Sequence, residues 1–249
     1  MTVLTSGNDR RVSAAKRFLE ERTGGLSPDL PETLLLLPVP SFKDGKVTGT
    51  EETPDTLPVT GAAVAGYDIP AEIRALFLAR GAAVFDVAGD EAYLAENARL
   101  TAIGTLAYLF AGETRAPEDL SVGIVGYGRI GRELLRLLTV YGARVRVYTG
   151  NAETRLTLGG LGVSVGDSGA PDFSGTDILI NTAPAPLIRK ENLPRPRPRV
   201  LELASGENIG EGVLYERLSS VPARFYPDSA GEAYARAVLR QILPREEKA

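Results

Sequence analysis

The stretch GIVGYGRIGREL, residues 123–134, decides the fold class of this 249-residue chain. An apolar run comes before its glycines and a helical pattern follows them, which predicts a strand, a tight turn and a helix. The glycines at 126, 128 and 131 have the spacing GxGxxG. That spacing alone is a weak signal, but ARVRVYT at 143–149 predicts a second strand, and together they form the βαβ context that the motif requires. The stretch therefore predicts a site for a dinucleotide.

Each glycine of the motif has its own predicted role. The first allows a tight turn, the second lets a pyrophosphate approach the backbone, and the third lets the helix pack closely on the strand. The phosphate charge would meet the exposed N–H groups at the start of the helix. The alternative is that these are ordinary glycines of a tight turn.

The end of the second predicted strand bears on which dinucleotide binds. An Asp or Glu there would hold the ribose hydroxyls of NAD, but the strand ends at Thr149 and no carboxylate stands in the following turn. Thr149, Asn151 and Arg155 could donate hydrogen bonds to a 2′-phosphate. We therefore predict NADP, with an NAD site as the alternative.

A second turn is expected at the same edge of the sheet. DILINT at 177–182 predicts a strong strand, and ligands of open parallel sheets lie beyond the carboxyl ends of the strands. Alternatively, INTAPAPLI at 180–188 is an ordinary strand-to-loop turn. From both turns and the second strand end we predict these cofactor-binding residues: Gly126, Tyr127, Gly128, Arg129, Ile130, Gly131, Thr149, Asn151, Arg155, Asn181, Thr182, Ala183 and Pro184.

Strand and helix patterns alternate along the chain, which is typical of an α/β fold. We predict two Rossmann-like lobes with parallel sheets, the N-terminal one shortened, and a cleft between them. The N-terminal substrate lobe is predicted at 1–112 and the NAD(P)-binding domain at 113–228, with a C-terminal helix at 229–243 packing back on the first lobe. Residues 40–60, rich in Gly, Pro, Thr and Asp, predict a loop or lid.

Shorter sequence patterns predict the bounds of further helices and strands. A helix from Arg10 is expected to end at Gly24 and Gly25. Beyond the βαβ unit, strands are expected at 163–165, 177–182, 199–205 and, as a short candidate, 223–227.

Composition excludes several classes of function. The chain has 28 Lys and Arg against 32 Asp and Glu, and it has no basic block, so we expect no nucleic-acid partner. It contains no Cys and no His, which removes thiol catalysis, disulfides and nearly every zinc geometry. No carboxylate cluster suits Mg²⁺, so we expect no metal. With no long apolar run and no cleavable leader, we expect a cytoplasmic protein without a membrane partner.

Several short motifs, taken in order, resemble the family of the dehydrogenase-like A subunit of dipicolinate synthase, which makes a spore metabolite. SGNDRR at 6–11 resembles its Gly-Gly-Asp-x-Arg turn, LLLLPV at 34–39 its strand ending in Leu-Pro-Val, and NARLTAIGT at 97–105 its helix-opening Asn-x-x-Pro-Thr-x-Glu-Gly-Thr stretch. The glycine loop, an Asn-Thr-x-Pro turn from Asn181 and a Leu-Ala-Ser turn at 203–205 follow in the same order. The second domain alone is also similar to D-2-hydroxyacid dehydrogenases, which use a catalytic His.

The chain departs from that family pattern in places. Leu100 and Ile103 replace the Pro and Glu of the helix-opening stretch, and YPDSAG at 226–231 stands for a longer loop. A diverged or shortened member is therefore expected.

The resemblance implies dehydrogenation of dihydrodipicolinate, or of a similar cyclic dicarboxylate, to dipicolinate. It also implies association into homo-oligomers and a flavoprotein-like second subunit. Carboxylates need cationic or N–H donors, so the substrate-binding candidates are Arg10, Arg11, Lys43, Arg99 and Ser205. The alternative for each Arg and Lys is a solvated surface charge, which is the usual case. Asn97 and Thr101 are the catalytic candidates, and the general base is unassigned.

The absence of histidine limits the chemistry. Removing two hydrogens from a ring close to aromaticity needs only a modest base, such as water or a carboxylate, whereas oxidising an unactivated alcohol needs more. Two alternatives stay open: an inactive dinucleotide-binding subunit or sensor, and a D-2-hydroxyacid dehydrogenase-like enzyme without the usual His.

Overall fold

The computed structural model describes residues 1–22 and 31–243. The chain divides into two compact units: unit 1 comprises Met1–Asn97 and Pro222–Ala249, and unit 2 comprises Ala98–Val221. The first boundary falls inside the long helix α3 (Glu91–Ala111), whereas the sequence pattern puts the division at its end, after residue 112. A continuous helix can belong to two cores, and its pattern does not mark where it passes from one to the other.

Unit 1 is built on a parallel sheet. Its strands are β1 (Thr2–Thr5), β2 (Thr33–Leu36), β3 (Phe42–Lys43), β4 (Lys46–Val47), β5 (Ala63–Gly66) and β6 (Ala83–Asp86). Its helices, besides the first part of α3, are α1 (Arg10–Arg22), α2 (Ala71–Ala79), α6 (Val221–Phe225) and α7 (Pro227–Ile242). The main sheet has the order β1-β2-β5-β6, and every pairing in it is parallel.

Both faces of this sheet are covered, which explains why its strands are continuous apolar runs. Leu34 and Leu36 join the apolar cluster formed with α1 and α7, while Leu35 and Leu37 join the cluster formed with α2. The segment 40–60 also supplies core residues to the α2 side, since Val47, Leu57 and Val59 are buried. It holds the β3–β4 hairpin and a short 3-10 turn at Pro54–Thr56.

The C-terminal helix α7 is part of the unit 1 core and packs against α1. A Cβ atom on Gly231 would lie 2.7 Å from the carbonyl oxygen of Arg11, so only glycine allows this close approach. The Tyr234 hydroxyl lies 3.0 Å from the carbonyl oxygens of both Leu37 and Ala65 and donates to them. Arg240 donates to both carboxylate oxygens of Asp90, each at 2.8 Å.

Unit 2 contains the predicted βαβ unit within a larger parallel sheet. Its strands are β7 (Ser121–Val125), β8 (Arg144–Tyr148), β9 (Ser164–Gly166), β10 (Ile178–Asn181), β11 (Arg199–Glu202) and β12 (Glu216–Arg217). Its helices, besides the last part of α3, are α4 (Arg129–Val140) and α5 (Ala152–Gly160). The spatial order β9-β8-β7-β10-β11-β12 is the Rossmann order 3-2-1-4-5-6, and all pairings are parallel.

The α/β class with parallel sheets is confirmed, but one predicted element is wrong. Residues 223–225 lie in α6, not in a strand, and the sixth strand of unit 2 is Glu216–Arg217. Two charged residues at the edge of a sheet carry no apolar run, so the pattern could not reveal them. The predicted helix stop at Gly24 and Gly25 lies outside the described residues. Within the described ranges, no helix is both long and apolar enough to cross a bilayer.

Candidate dinucleotide site

The glycine turn follows β7, and two of its glycines are required by close packing. Gly126 has a φ of +100°, and a Cβ atom there would lie 2.6 Å from Thr182 Oγ1 and 3.0 Å from the backbone nitrogen of Ala183. A Cβ atom on Gly131 would collide with the carbonyl oxygen of Gly126. These two residues are therefore glycines because the turn and the helix approach each other closely.

Gly128 is different, because nothing in the protein requires it to lack a side chain. Its φ of −78° suits any residue, and in the part of the chain that the structure describes no atom beyond its neighbours comes within 4 Å of an added Cβ. The residue is exposed and is the N-cap of α4, and as a glycine it has no side chain that could cap the first turn of the helix. An open space beside the N-terminus of a helix fits a bound pyrophosphate.

The second turn is fixed to the first at the point where the strand order reverses. The backbone N–H of Thr182 donates to the Val125 carbonyl at 2.8 Å, and Thr182 Oγ1 donates to the same oxygen at 3.1 Å. The ends of β7 and β10 thus form one rigid edge. In open α/β sheets, ligands bind in the crevice at such a switch point.

Asn181 is brought to this edge, but its side chain faces the protein. It is fully buried and donates to Glu202 Oε2 at 2.9 Å and to the Ala183 carbonyl at 3.1 Å. Its Oδ1 accepts from the Ala183 N–H at 3.2 Å. Asn181 therefore shapes the turn, and Thr182 also bonds inward, which leaves half-buried Ala183 and exposed Pro184 as the outward part of the turn.

Glu202 is a residue that the sequence analysis missed. Its side chain is fully buried at the end of β11, where it accepts from Asn181 and, at 2.6 Å, from the Ala204 N–H. Burial raises the pKa of Glu202 above its ordinary value, against the opposing effect of these two donors and the Arg217 charge. The available signal was a carboxylate flanked on both sides by apolar residues, in VLEL at 200–203.

The predicted adenosine end of the site contains a cation and an acid. Arg155 Nη1 donates to the Thr149 carbonyl at 2.7 Å, and its Nη2 lies 3.4 Å from Asp167 Oδ2. Asn151 caps α5 by accepting from the Thr154 N–H. No carboxylate stands in the 149–151 turn, as expected, but half-exposed Asp167 comes from the end of β9 and was not foreseen.

Three other predicted cofactor residues lie beside the glycine turn. Tyr127 and Ile130 are half-buried and Arg129 is exposed. The guanidinium of Arg132 lies over the Tyr127 ring, 5.5 Å from its centroid. The start of α4 thus carries positive charge, which favours an anionic ligand.

Among the predicted substrate residues of unit 1, Arg10 and Lys43 are exposed, whereas Arg11 is only 2% exposed. The Arg11 guanidinium donates to Tyr93 Oη at 3.2 Å and to Asn97 Oδ1 at 3.3 Å, and it lies 3.2 Å from Asp9. Arg11 and Asn97 are thus brought together, but in a buried polar cluster in which protein groups occupy the two terminal nitrogens of the guanidinium.

The remaining candidates belong to unit 2. Arg99 is half-buried and Thr101 is buried on α3, and Ser205 is exposed after β11 with its carbonyl oxygen accepting from Asn208 at 2.7 Å. Across the described ranges, no three metal-ligating side chains gather into a group.

No protein-family model matches the sequence, and no curated protein sequence matches it. Solved structures do match. The A subunit of dipicolinate synthase from Bacillus halodurans superposes with a TM-score of 0.77 at 18% identity, and 97% of each chain is covered. The chain has the fold of this dipicolinate synthase subunit. The A chain of dipicolinate synthase from Bacillus subtilis gives 0.75 at 18% identity, covering 97% of this chain and 96% of that one.

A transhydrogenase from Sinorhizobium meliloti shares the fold more distantly, with a TM-score of 0.60 at 16% identity and coverage of 96% and 93%. The resemblance to the dipicolinate synthase family is therefore confirmed for the fold. It extends over nearly the whole length of this chain, and the fold is one that oxidoreductases use.

Proposed function

We propose that the protein is an oxidoreductase that binds a nicotinamide dinucleotide at the glycine turn of unit 2. The observation that carries this proposal is the geometry of Gly128. Within the described residues no packing requires the side chain of Gly128 to be absent, and its absence leaves open space beside the N-terminus of α4 at the switch point of a Rossmann sheet. A pyrophosphate is the ligand that this arrangement suits.

The chain supplies binding and orientation, while a bound nicotinamide ring would supply the hydride acceptor. The N–H groups after Gly126 would hold the pyrophosphate, and exposed Arg129 would add positive charge beside it. The turn after β10, anchored to Val125 through Thr182, would form the wall on the nicotinamide side. Such preorganised positioning is the main contribution that a protein makes to hydride transfer.

We propose NADP as the preferred form. Arg155 is the cation available for a 2′-phosphate, and no carboxylate occupies the turn at 149–151, where it would bind ribose hydroxyls. Asp167, 3.4 Å from Arg155, offsets part of that charge, and it weakens the preference relative to an unpaired Arg.

We further propose that the substrate is dihydrodipicolinate or a similar cyclic dicarboxylate. The support is the ordered set of family-like motifs together with the shared fold. In the reaction, one ring carbon loses a hydride to the oxidised nicotinamide and a neighbouring ring position loses a proton, which leaves an aromatic ring. Aromaticity supplies driving force, so a chain without histidine suffices.

The chain's own contribution to the substrate step is chiefly electrostatic. Exposed Arg10 and Lys43 are the cations of unit 1 that we propose for the substrate carboxylates, with Arg99 and Ser205 from unit 2. Asn97 and Thr101 can orient a substrate through hydrogen bonds, but an amide and a hydroxyl are poor bases at neutral pH. The proton is therefore expected to go to water or a carboxylate. By the same resemblance we propose self-association and a flavoprotein-like partner subunit in the cytoplasm.

The test is turnover of freshly generated dihydrodipicolinate with NADP⁺, followed by the absorbance of the reduced nicotinamide. We expect a rate that depends on protein, cofactor and substrate, and that falls in Gly128→Ala. Cofactor binding without a rate above background would overturn the enzymatic proposal in favour of a non-catalytic dinucleotide-binding subunit. Turnover of simple 2-hydroxy acids instead would favour a hydroxyacid dehydrogenase.

A further inference from the structure

Glu202 is the one carboxylate that is fully buried among the residues the structure describes. It stands at the carboxyl end of β11, one strand away from the switch point. Burying a carboxylate is costly unless donors compensate for the lost water. A hydrophobic residue would fill a strand interior at no such cost, so this position calls for an explanation beyond folding.

The compensating donors of Glu202 belong to the two turns that follow β10 and β11. Oε2 accepts from Asn181 Nδ2 at 2.9 Å, and Oε1 accepts from the Ala204 N–H at 2.6 Å. Because each oxygen has its own donor, the carboxylate fixes both turns at once. Asn181, oriented by Glu202, in turn holds Ala183 through both its N–H and its carbonyl.

The turn that follows β11 is braced from the other side as well. Arg217 Nη1 donates to the Gly206 carbonyl at 2.7 Å. Its guanidinium charge also interacts favourably with the Glu202 carboxylate. The segments 181–184 and 204–206 are thus tied to one buried anion.

The position of these turns indicates which part of a dinucleotide they would meet. In the Rossmann order, each half of the sheet binds one mononucleotide, and the adenosine half lies over the strand that follows the glycine helix, here β8. The strands β10 and β11 lie on the other side of β7. They therefore face the nicotinamide half.

We propose that Glu202 is a positioning residue for the nicotinamide half of the dinucleotide, acting through Asn181 and the Ala204 N–H. This inference rests on the proposed function and adds to it. Glu202 does not touch the cofactor. It keeps the turns after β10 and β11 in the conformation that receives the nicotinamide ring.

The test compares two probes that differ only in the nicotinamide half. NADPH contains the complete dinucleotide, and the 2′-phosphate of ADP-ribose lacks the nicotinamide ring but keeps the pyrophosphate and both riboses. In Glu202→Gln, an NH2 group replaces one of the two carboxylate oxygens and cannot accept a hydrogen bond. Either Asn181 Nδ2 or the Ala204 N–H therefore loses its acceptor, and the turn to which that donor belongs is no longer fixed. We expect the Kd of NADPH to rise about tenfold, the effect of leaving one buried donor unpaired, and the Kd of ADP-ribose 2′-phosphate to change less than twofold.

The matched control is Glu207→Gln, which removes the same charge from an exposed position on the same turn. It should leave both affinities unchanged. If Glu202→Gln does not fold, Asn181→Ala tests the same contact from its other end and should give the same selective loss. Equal weakening of both probes would show a merely structural role, and an unchanged NADPH affinity would also overturn the inference. Failure of the wild-type protein to bind either probe would instead refute the proposed function.

Discussion

Gly126 and Thr182 pack closely at the switch point of the unit 2 sheet. A Cβ atom added to Gly126 would lie 2.6 Å from Thr182 Oγ1. Gly126→Ala should therefore be destabilising for two reasons, a positive φ and a collision. Together we expect a cost of about 3 kcal/mol in the free energy of unfolding. Urea unfolding followed by circular dichroism measures this cost.

The matched control is Gly162→Ala, because Gly162 also has a positive φ, of +80°, but no atom of the described residues beyond its chain neighbours lies within 4 Å of an added Cβ. It should lose only the conformational part, about 1 kcal/mol. Equal losses in the two variants would contradict the close contact at Gly126.

Tyr234 connects the C-terminal helix to two strands of unit 1, because its hydroxyl donates to the carbonyls of Leu37 and Ala65. Burial raises the pKa of Tyr234 well above its ordinary value, so the donor persists into alkaline solution. Tyr234→Phe should lower the free energy of unfolding by about 1 kcal/mol. The exposed Tyr141→Phe is the control, and a melting temperature unchanged in both variants would rule out a stabilising role for this hydroxyl.

Because of Glu216, the free energy of unfolding of unit 2 should decrease at acid pH. It accepts from Arg199 Nε at 2.6 Å and from Tyr108 Oη at 2.6 Å, and the Arg199 guanidinium lowers the pKa of Glu216 from 4.5 to about 2. Because the folded pKa is depressed, the stabilisation is complete above about pH 4.5 and is lost as the pH falls through about 2. The carboxylate is more than a third exposed, so solvent screening limits the effect to about 1 kcal/mol.

Glu216→Gln should therefore melt at a lower temperature than the wild type at pH 7, and the two should converge near pH 2. Exposed Glu153→Gln should follow the wild type throughout. A melting difference that persists unchanged to pH 2 would show that the ion pair is not its source.

Arg155 and Asp167 should set the preference between NADP and NAD. Asp167→Asn removes the acid beside Arg155, so the affinity for NADP⁺ should rise severalfold while that for NAD⁺ changes little. Thr149→Asp should act in the opposite direction, because a carboxylate repels a 2′-phosphate. Titrations of both variants with both nucleotides provide the measurement, and an unchanged ratio in both would refute the assignment of the adenosine end.

The parts of the fold that the sequence predicts are those that local pattern controls. The βαβ unit is continuous in the chain, and its glycines, apolar runs and helix period lie within 30 residues of one another. The four-stranded sheet of unit 1 follows from uninterrupted apolar runs, because both of its faces are covered.

The missed features depend on contacts between distant segments. Asp167 meets Arg155 only because β9 pairs beside β8, and Glu202 meets Asn181 only because β11 pairs beside β10. Arg11 resembles a substrate ligand in the sequence, yet α3 supplies Tyr93 and Asn97 to its guanidinium. Strand pairing and helix packing determine such contacts, so the pattern of any single segment of the chain cannot predict them.

The central claim is tested most directly by calorimetric titration of NADP⁺ into the wild type, Gly128→Ala and Gly159→Ala. Among the described residues, no atom beyond the chain neighbours lies within 4 Å of a methyl group added at either glycine, so both variants should fold without a collision. The wild type and Gly159→Ala should bind NADP⁺ equally, and Gly128→Ala should bind at least about tenfold more weakly, because its methyl group fills the phosphate space. Wild-type protein that takes up neither NADP⁺ nor NAD⁺, or a Gly128→Ala variant that binds as well as the wild type, would contradict the assignment.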